Sequence, residues 1–307
     1  MATRGDATEL RVDVEGRTLV IKNLAKVLYP QTGTTKGEVL NYYAQIAPTI
    51  LPHLRDRAVT RIRWPHGVEG LSFFEKNAPS GTPSWVRTAK VPTTGSRAAS
   101  SGDTLVFPVI DDLATLTWLA NLAAIELHVH QWRVGRNGRP RNADRIVIDL
   151  DPGEPAGLHE CCQVALLVRD KLAERDLTGR PVLSGSKGLH LYASLPTRLP
   201  CEESTALAKE IAEELQAEHP KLVTATMAKA RRRGKVFLDW SQNAGSKTTV
   251  APYSLRGRER PYVAAPVSWS EVEEGADDPL GIEQLRFEEV LARVDRLGDL
   301  FAVPSEE

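Results

Sequence analysis

The chain has 307 residues, with 39 Lys+Arg against 40 Asp+Glu and a formal net charge of −1. Hydrophobic residues at 41% and charged residues at 26% exclude disordered, collagen-like and fibrous classes. No apolar run approaches the ~18–20 residues that span a bilayer, and the amino terminus has no apolar core of a secretion signal. The three cysteines, Cys161, Cys162 and Cys201, include no CxxC pair, so no disulfide framework or zinc site is expected and a cytoplasmic setting is.

Leu10–Val14 and Thr18–Lys22 alternate like the arms of a β-hairpin turning at Glu15-Gly16. Residues 23–30 read as a short helix or turn stopped by Pro30. Thr35 is placed to cap a helix through Ile46, with Val39, Tyr42, Tyr43 and Ile46 on one face. Residues 78–104, rich in Pro, Ser, Gly and Thr, read as a long loop, and loops of that length tend to be functional or mobile. Asp112 then caps an apolar helix running to about Glu126. In the second half, strands and helices alternate. Arg145–Asp151 is a strand, 159–174 a helix, Pro181–Ser184 and Leu189–Leu195 strands around a polar turn, 202–218 a helix and Lys235–Trp240 a strand. The fold class is α/β (α+β), with mixed β-sheets flanked by helices in one domain over 1–307.

The near-zero charge is an average of two opposed regions. Residues 271–307 hold twelve acids and three bases, a charge of −9, which leaves +8 on residues 1–270. The densest basic run, Lys229–Lys235, has five cations in seven residues; such a run is a solvated surface or an anion-binding one.

Asp149 and Asp151, two apart on a strand, point to one face. Side-by-side carboxylates repel unless a cation neutralises them, and hard oxygen ligands suit Mg²⁺ or Mn²⁺; a water-facing strand end is the plainer alternative. Asp239, at the end of another apolar strand, would complete a two-metal phosphoryl-transfer set if the two strands are neighbours. Ser184-Gly-Ser-Lys-Gly-Leu-His190 offers glycines through which backbone amides can approach a phosphate, together with Lys187, though it also fits an ordinary hairpin turn. Arg232 and Arg256 carry forks suited to phosphate oxygens. His128 and His130 lack a third soft ligand, and His128 is the better candidate for a phosphate contact. Phe73 and Phe74 precede Lys76, a base-stacking combination if exposed and core packing if not.

Together, Asp149–Pro152, Ser184–His190 and Phe237–Asn243 resemble, in order and spacing, the three catalytic motifs of the archaeo-eukaryotic primase superfamily. The chain is most similar to the polymerase domain of bacterial ligase D, a non-homologous end-joining protein, from Lys26–Pro30 through Phe73–Asn77 to Lys247–Arg256. The resemblance implies that Asp149, Asp151 and Asp239 bind two Mn²⁺ (or Mg²⁺) ions at a primer 3′-OH and an incoming NTP or dNTP, with ribonucleotides preferred. It implies triphosphate contacts from Ser184, Ser186, Lys187, His190, Arg232 and Arg256, helped by His128 and Gln242. Lys26 and Lys36 would grip the 5′-phosphate of gapped or recessed DNA, and Phe73 and Phe74 would meet the template, Phe74 by stacking on it. Part of 78–104 aligns with a loop that engages a second DNA end, and Ile62 stands where the family has a lysine. A Ku-type end-binding protein and a DNA ligase are the implied partners of a nucleoid-associated monomer. The rival readings are a stand-alone gap filler of excision repair, a DxD glycosyltransferase, and a non-catalytic DNA-end binding module. The absence of a ligase or nuclease signature before Glu307 leaves open whether the chain stands alone or is one domain of a larger ligase.

Overall fold

A computed structural model describes residues 9–92 and 104–302. β1 (Glu9–Val14) and β2 (Arg17–Lys22) form the expected hairpin, with Glu15 and Gly16 both at positive φ, as a tight two-residue turn requires. Residues 23–30 are not helical: β3 (Val27–Tyr29) pairs with β4 (Thr34–Thr35), and Leu28 and Tyr29 are wholly buried. Thr35 caps α1 (Lys36–Leu54) in a reciprocal capping box with Glu38. The helix outruns the expected end at Ile46 and continues through Pro48 and Pro52, because Ile50 and Leu54 extend its buried stripe.

β5 (Val59–Arg63) and β6 (Phe73–Glu75) come next, and then the expected long loop proves to be a hairpin over part of its length. β7 (Thr88–Pro92) pairs with β8 (Thr104–Pro108), Lys90 opposite Val106. Ala89, Val91 and Phe107 are buried, an alternation that the Ser/Thr/Pro-rich composition hides; residues 93–103 lie outside the described residues. α2 (Leu113–Asn121), capped by Asp112, ends five residues earlier than expected, at a turn with Ala123 at positive φ. The rest of the apolar run becomes β9 (Ala124–Val129), paired with β5.

The second half follows the expected alternation: β10 (Trp132–Val134), β11 (Pro140–Pro152), α3 (Leu158–Ala173), β12 (Gly179–Leu183), β13 (Leu189–Leu199) and α4 (Cys201–Glu218). Then come β14 (Val223–Thr224), β15 (Val236–Asp239), β16 (Thr249–Val250) and β17 (Ala265–Pro266). The acidic segment holds α5 (Trp269–Asp277) and α6 (Phe287–Leu297).

The main sheet runs β14-β15-β11-β13-β12-β17, with β10 also on β11; only β14–β15 is parallel, so the sheet is mixed. A second, antiparallel sheet runs β16-β9-β5-β6. α3 and α4 bury Val164, Val168, Ala208 and Ile211 against the main sheet, while α1 packs on α2 and α6, and one continuous core joins the two halves. Cys161 and Cys162 are buried free thiols.

Candidate active site

β11 is central in its sheet, and its register assembles the acids. Asp149 stands directly opposite Asp239 of antiparallel β15 on one side and opposite His190 of β13 on the other. Asp151, two residues on, shares the face of Asp149. The condition set by the sequence, that the two Asp-bearing strands be neighbours, is met. His190 Nε2 lies 3.2 Å from Asp149 Oδ1, and its buried Nδ1 has no partner. The Asp151 carboxyl is pushed up to about 6, first by loss of hydration, then by the charges of Asp149 and Asp239, with His190 and Arg232 opposing.

Asp239 ends β15 and turns its carboxylate onto the following helical turn. Oδ1 accepts from the Ser241 amide and hydroxyl at 3.0 and 2.6 Å, and Oδ2 accepts from Gln242 Nε2 at 2.9 Å. Among the described residues no three His, Cys, Asp or Glu side chains close to metal-ligand spacing. The donor types still fit a divalent ion: Asp149 and Asp151 share a face, Asp239 stands directly opposite Asp149, and the charges of Asp149 and Asp239 add to burial in raising Asp151. Beyond Asp239 the ladder is continued by a side chain. Asn243 Oδ1 accepts from the Val147 amide at 2.8 Å and Nδ2 donates to the Val147 carbonyl at 2.7 Å.

The Ser184–His190 turn sits against this end of β11. A Cβ on Gly188 would lie 2.0 Å from the Leu150 carbonyl oxygen, and one on Gly185 would lie 2.7 Å from that of Val263. The glycines therefore permit close packing. Three amides of the turn serve the fold: those of Ser186 and Gly188 donate to Ser184 Oγ, and that of Gly185 donates to Gln284 Oε1, which leaves the Lys187 amide. Lys187 is exposed and bonds only to the exposed Glu154, a pairing that an incoming polyanion can displace. Arg232 lies 3.6 Å over the Phe237 ring, and Arg256 donates through Nη1 to the Ser184 carbonyl.

A cavity of about 340 Å³ brings together Asp149, Asp151, Ser184, Ser186, Lys187, His190, Arg232 and Arg256, and adds Arg258, which the sequence reading did not single out. Asp239, His128 and Gln242 do not line it; His128 and Gln242 line a separate cavity of about 500 Å³ with Lys247, and Gln242 reaches the acids only through its bond to Asp239. Glu126 was also missed. It is 4% exposed, accepts from His128 Nε2 at 2.7 Å and the Gly257 amide at 2.9 Å, and lies 3.3 Å from Arg256 Nε. Burial opposes its ionisation, but His128, Arg256 and Gly257 win and hold its carboxyl down at about 2. Gln284 was likewise missed; its Nε2 donates to the Gly188 carbonyl, so one side chain clamps both sides of the turn.

Phe73 and Phe74 are 46% and 59% exposed, which favours a stacking surface over core packing. Phe74 stands opposite the half-buried Ile62, whose neighbours Arg61 and Arg63 are both tied to Glu75. Lys26 and Lys36 meet in a cavity of about 420 Å³ with Lys22 and Arg63. Lys36 is buried, its ammonium donating to the Lys22 carbonyl and to Asn121 Oδ1, both at 2.6 Å; burial and then Lys26 push it down to about 8. No helix among the described residues is long and apolar enough to cross a membrane.

Residues 35–301 match the family model of the LigD primase-polymerase domain. The chain is 49% identical over 282 residues to the multifunctional non-homologous end joining protein LigD of Mycolicibacterium smegmatis, covering 92% of this chain and 35% of that protein. It is 47% identical over 301 residues to LigD of Mycobacterium tuberculosis, covering 96% of this chain and 37% of that one. The chain thus spans little more than a third of these curated relatives. The solved polymerase domain of Mycobacterium tuberculosis ligase D in complex with DNA superposes with a TM-score of 0.85 at 47% identity, covering 92% of this chain and 96% of that one. The register of β11, the three motifs and these matches together place the chain in the LigD primase-polymerase domain family, and so among the nucleotidyltransferases.

Proposed function

We propose that the chain is a template-dependent polymerase of DNA double-strand-break end joining, which extends a primer 3′ end across short gaps, prefers ribonucleotides and recognises a downstream 5′-phosphate. The observation that carries this reading is the register that sets Asp149 opposite Asp239, with Asp151 on the same face, at the mouth of a pocket whose other wall is Lys187, Arg232 and Arg256. Asp149, Asp151 and Asp239 would hold two divalent ions, Mn²⁺ by preference, which when bound supply positive charge at the attacking hydroxyl and at the phosphate it attacks. His190 braces Asp149. Lys187, Arg232 and Arg256 face the triphosphate and neutralise charge as pyrophosphate leaves. Glu126 gathers His128 and Arg256, which come from distant segments, toward the same nucleotide. The exposed Phe73 and Phe74 offer a face on which a template base stacks. Lys26 and Lys36 supply the cations for a 5′-phosphate, so gaps are selected through backbone contacts that carry no sequence information. DNA as the bound partner is supported by the related ligase D domain solved with DNA. A Ku-type protein and a ligase as partners, a nucleoid setting and the preference for ribonucleotides all rest on the family resemblance.

Primer extension on gapped DNA, with and without a 5′-phosphate and with Mn²⁺ and either rNTPs or dNTPs, tests the whole reading. Extension that is stimulated by the 5′-phosphate and faster with rNTPs is expected; no extension on any substrate would end the proposal.

A further inference from the structure

A second cationic cavity, of about 580 Å³, lies far from the reaction pocket. Five arginines and two aspartates line it, an excess of three positive charges. Arg87 is bonded to Asp56 and Asp111, and Arg133 to Asp144, which also takes both oxygens' worth of bonds from the buried Arg57. Arg87 and Arg133 are thus paired with acids. The remaining three, Arg136, Arg141 and Arg198, are exposed and have no acidic partner among the described residues. They come from the β10–β11 turn, the start of β11 and the end of β13, and the β11–β13 register, Ala143 opposite Leu199, brings them to one place. Nothing in the nucleotide site uses them.

Two strands fix where this cavity lies. Arg141 and Asp149 are at opposite ends of β11, eight residues and roughly 27 Å apart. Asp56 precedes β5 and lines the arginine cavity, whereas Arg63 ends β5 and lines the Lys26–Lys36 cavity. The arginines are thus remote from the reacting end and on the side away from the lysines. Arginine forks without acidic partners suit phosphate oxygens.

We propose that Arg136, Arg141 and Arg198 form a phosphate-contact site for the primer-side duplex of the bound nucleic acid. The placement rests on the polymerase reading, which sets the primer 3′ end at Asp149 and the downstream 5′-phosphate at the lysines. A straight duplex needs at least about 8 base pairs, at 3.4 Å each, to cover that distance. The site therefore adds affinity only for primers paired over more than that length.

The test is equilibrium binding of the wild-type chain and of the triple variant Arg136→Ala/Arg141→Ala/Arg198→Ala to primer–template DNA, with the primer-side duplex lengthened from about 5 to about 16 base pairs and, separately, the downstream duplex lengthened. The three side chains are exposed, and circular dichroism checks that the variant is folded. On long primer-side duplexes the variant is expected to bind about 10-fold more weakly, with a salt dependence shallower by roughly 1 per lost phosphate contact. On the shortest ones, and on lengthening the downstream side alone, the two proteins are expected to match. Equal binding at every length would overturn the proposal, as would a loss confined to downstream length. Loss of poly-glutamate binding with DNA binding unchanged would overturn it too, and assign the surface to an acidic peptide. Extension of short primers, measured alongside, reports on the polymerase reading separately: its absence in the wild-type chain indicts that reading, whereas normal extension with no length effect indicts only the arginine site.

Discussion

The carboxylate cluster and the lysine cavity are electrostatic opposites built to one plan. At the end of β11, acids crowd one another and Asp151 is pushed up to about 6; in the cavity between α1 and β2, Lys36 is buried against a carbonyl and an amide oxygen and is pushed down to about 8. Both groups are driven toward neutrality, and each would be relieved by a ligand of the opposite sign, a cation in one case and a phosphate in the other. The scaffold that holds them differs. The acids are aligned by strand register, whereas Lys36 is fixed by hydrogen bonds to groups that carry no charge. The reaction pocket therefore concentrates charge, and the lysine cavity merely shelters it.

The largest effect is expected where the charge is most concentrated. Asp149→Ala or Asp239→Ala should lower primer extension by about 10³-fold or more, the loss of several kcal/mol of transition-state stabilisation, with the circular dichroism spectrum unchanged. Single-turnover extension checks this, and retained activity in both variants would dissolve the contrast.

Next comes the other half of the comparison. Lys26→Ala with Lys36→Ala should weaken binding to 5′-phosphorylated gaps by about 10²-fold, the scale of two charged hydrogen bonds, while simple primer extension is spared. In the wild-type chain, the preference for the 5′-phosphate should fade as pH rises through about 8, because the free protein loses the Lys36 proton there. Binding titrations between pH 7 and 9.5 would show it, and a flat profile would mean that Lys36 carries none of the contact.

A smaller change separates positioning from chemistry. Glu126→Gln keeps the shape of the side chain but removes the charge that holds His128 and Arg256 together. It should raise the nucleotide KM about 10-fold and lower kcat by much less. An equal fall in kcat and kcat/KM would instead place the Glu126 effect in the transition state alone.

The smallest effect has the opposite sign. With its pKa raised in the folded state, Asp151 favours folding below about pH 4, and that contribution is lost as pH rises through about 6. At neutral pH and without metal, Asp151→Asn should therefore stabilise the protein by roughly 1 kcal/mol after solvent screening, while abolishing extension. Thermal melts at pH 4 and pH 7 would test it, the stabilisation appearing only at the higher pH.

Much of this site was legible in the sequence because its motifs are local. Asp149 and Asp151 share a face by strand geometry alone, and the Gly-rich turn announces itself by composition. What the sequence could not show was long-range. Glu126 matters through Arg256 and Gly257, some 130 residues away, and Gln284 through a turn nearly 100 residues earlier. No local pattern marks either residue; only a buried carboxylate beside two expected phosphate ligands could have drawn attention to Glu126. The misread elements have a different cause. The apolar run from α2 into β9 has no period that separates helix from strand, and the β7–β8 alternation is diluted by Ser, Thr and Pro. In the Ser184–His190 turn composition could not show that three of the amides serve the fold itself, one of them through Gln284.

Asn243 bears on how this site could be moved to another protein. Its carboxamide stands in for a peptide group, splicing a side chain into the β11 ladder so that the backbone is free to leave the sheet at Asp239. A transplant that copied only the four residues of β15 would carry the acid and leave the splice behind. The portable unit is the seven-residue stretch from Phe237 to Asn243, and its last residue is joinery for the acid four positions before it.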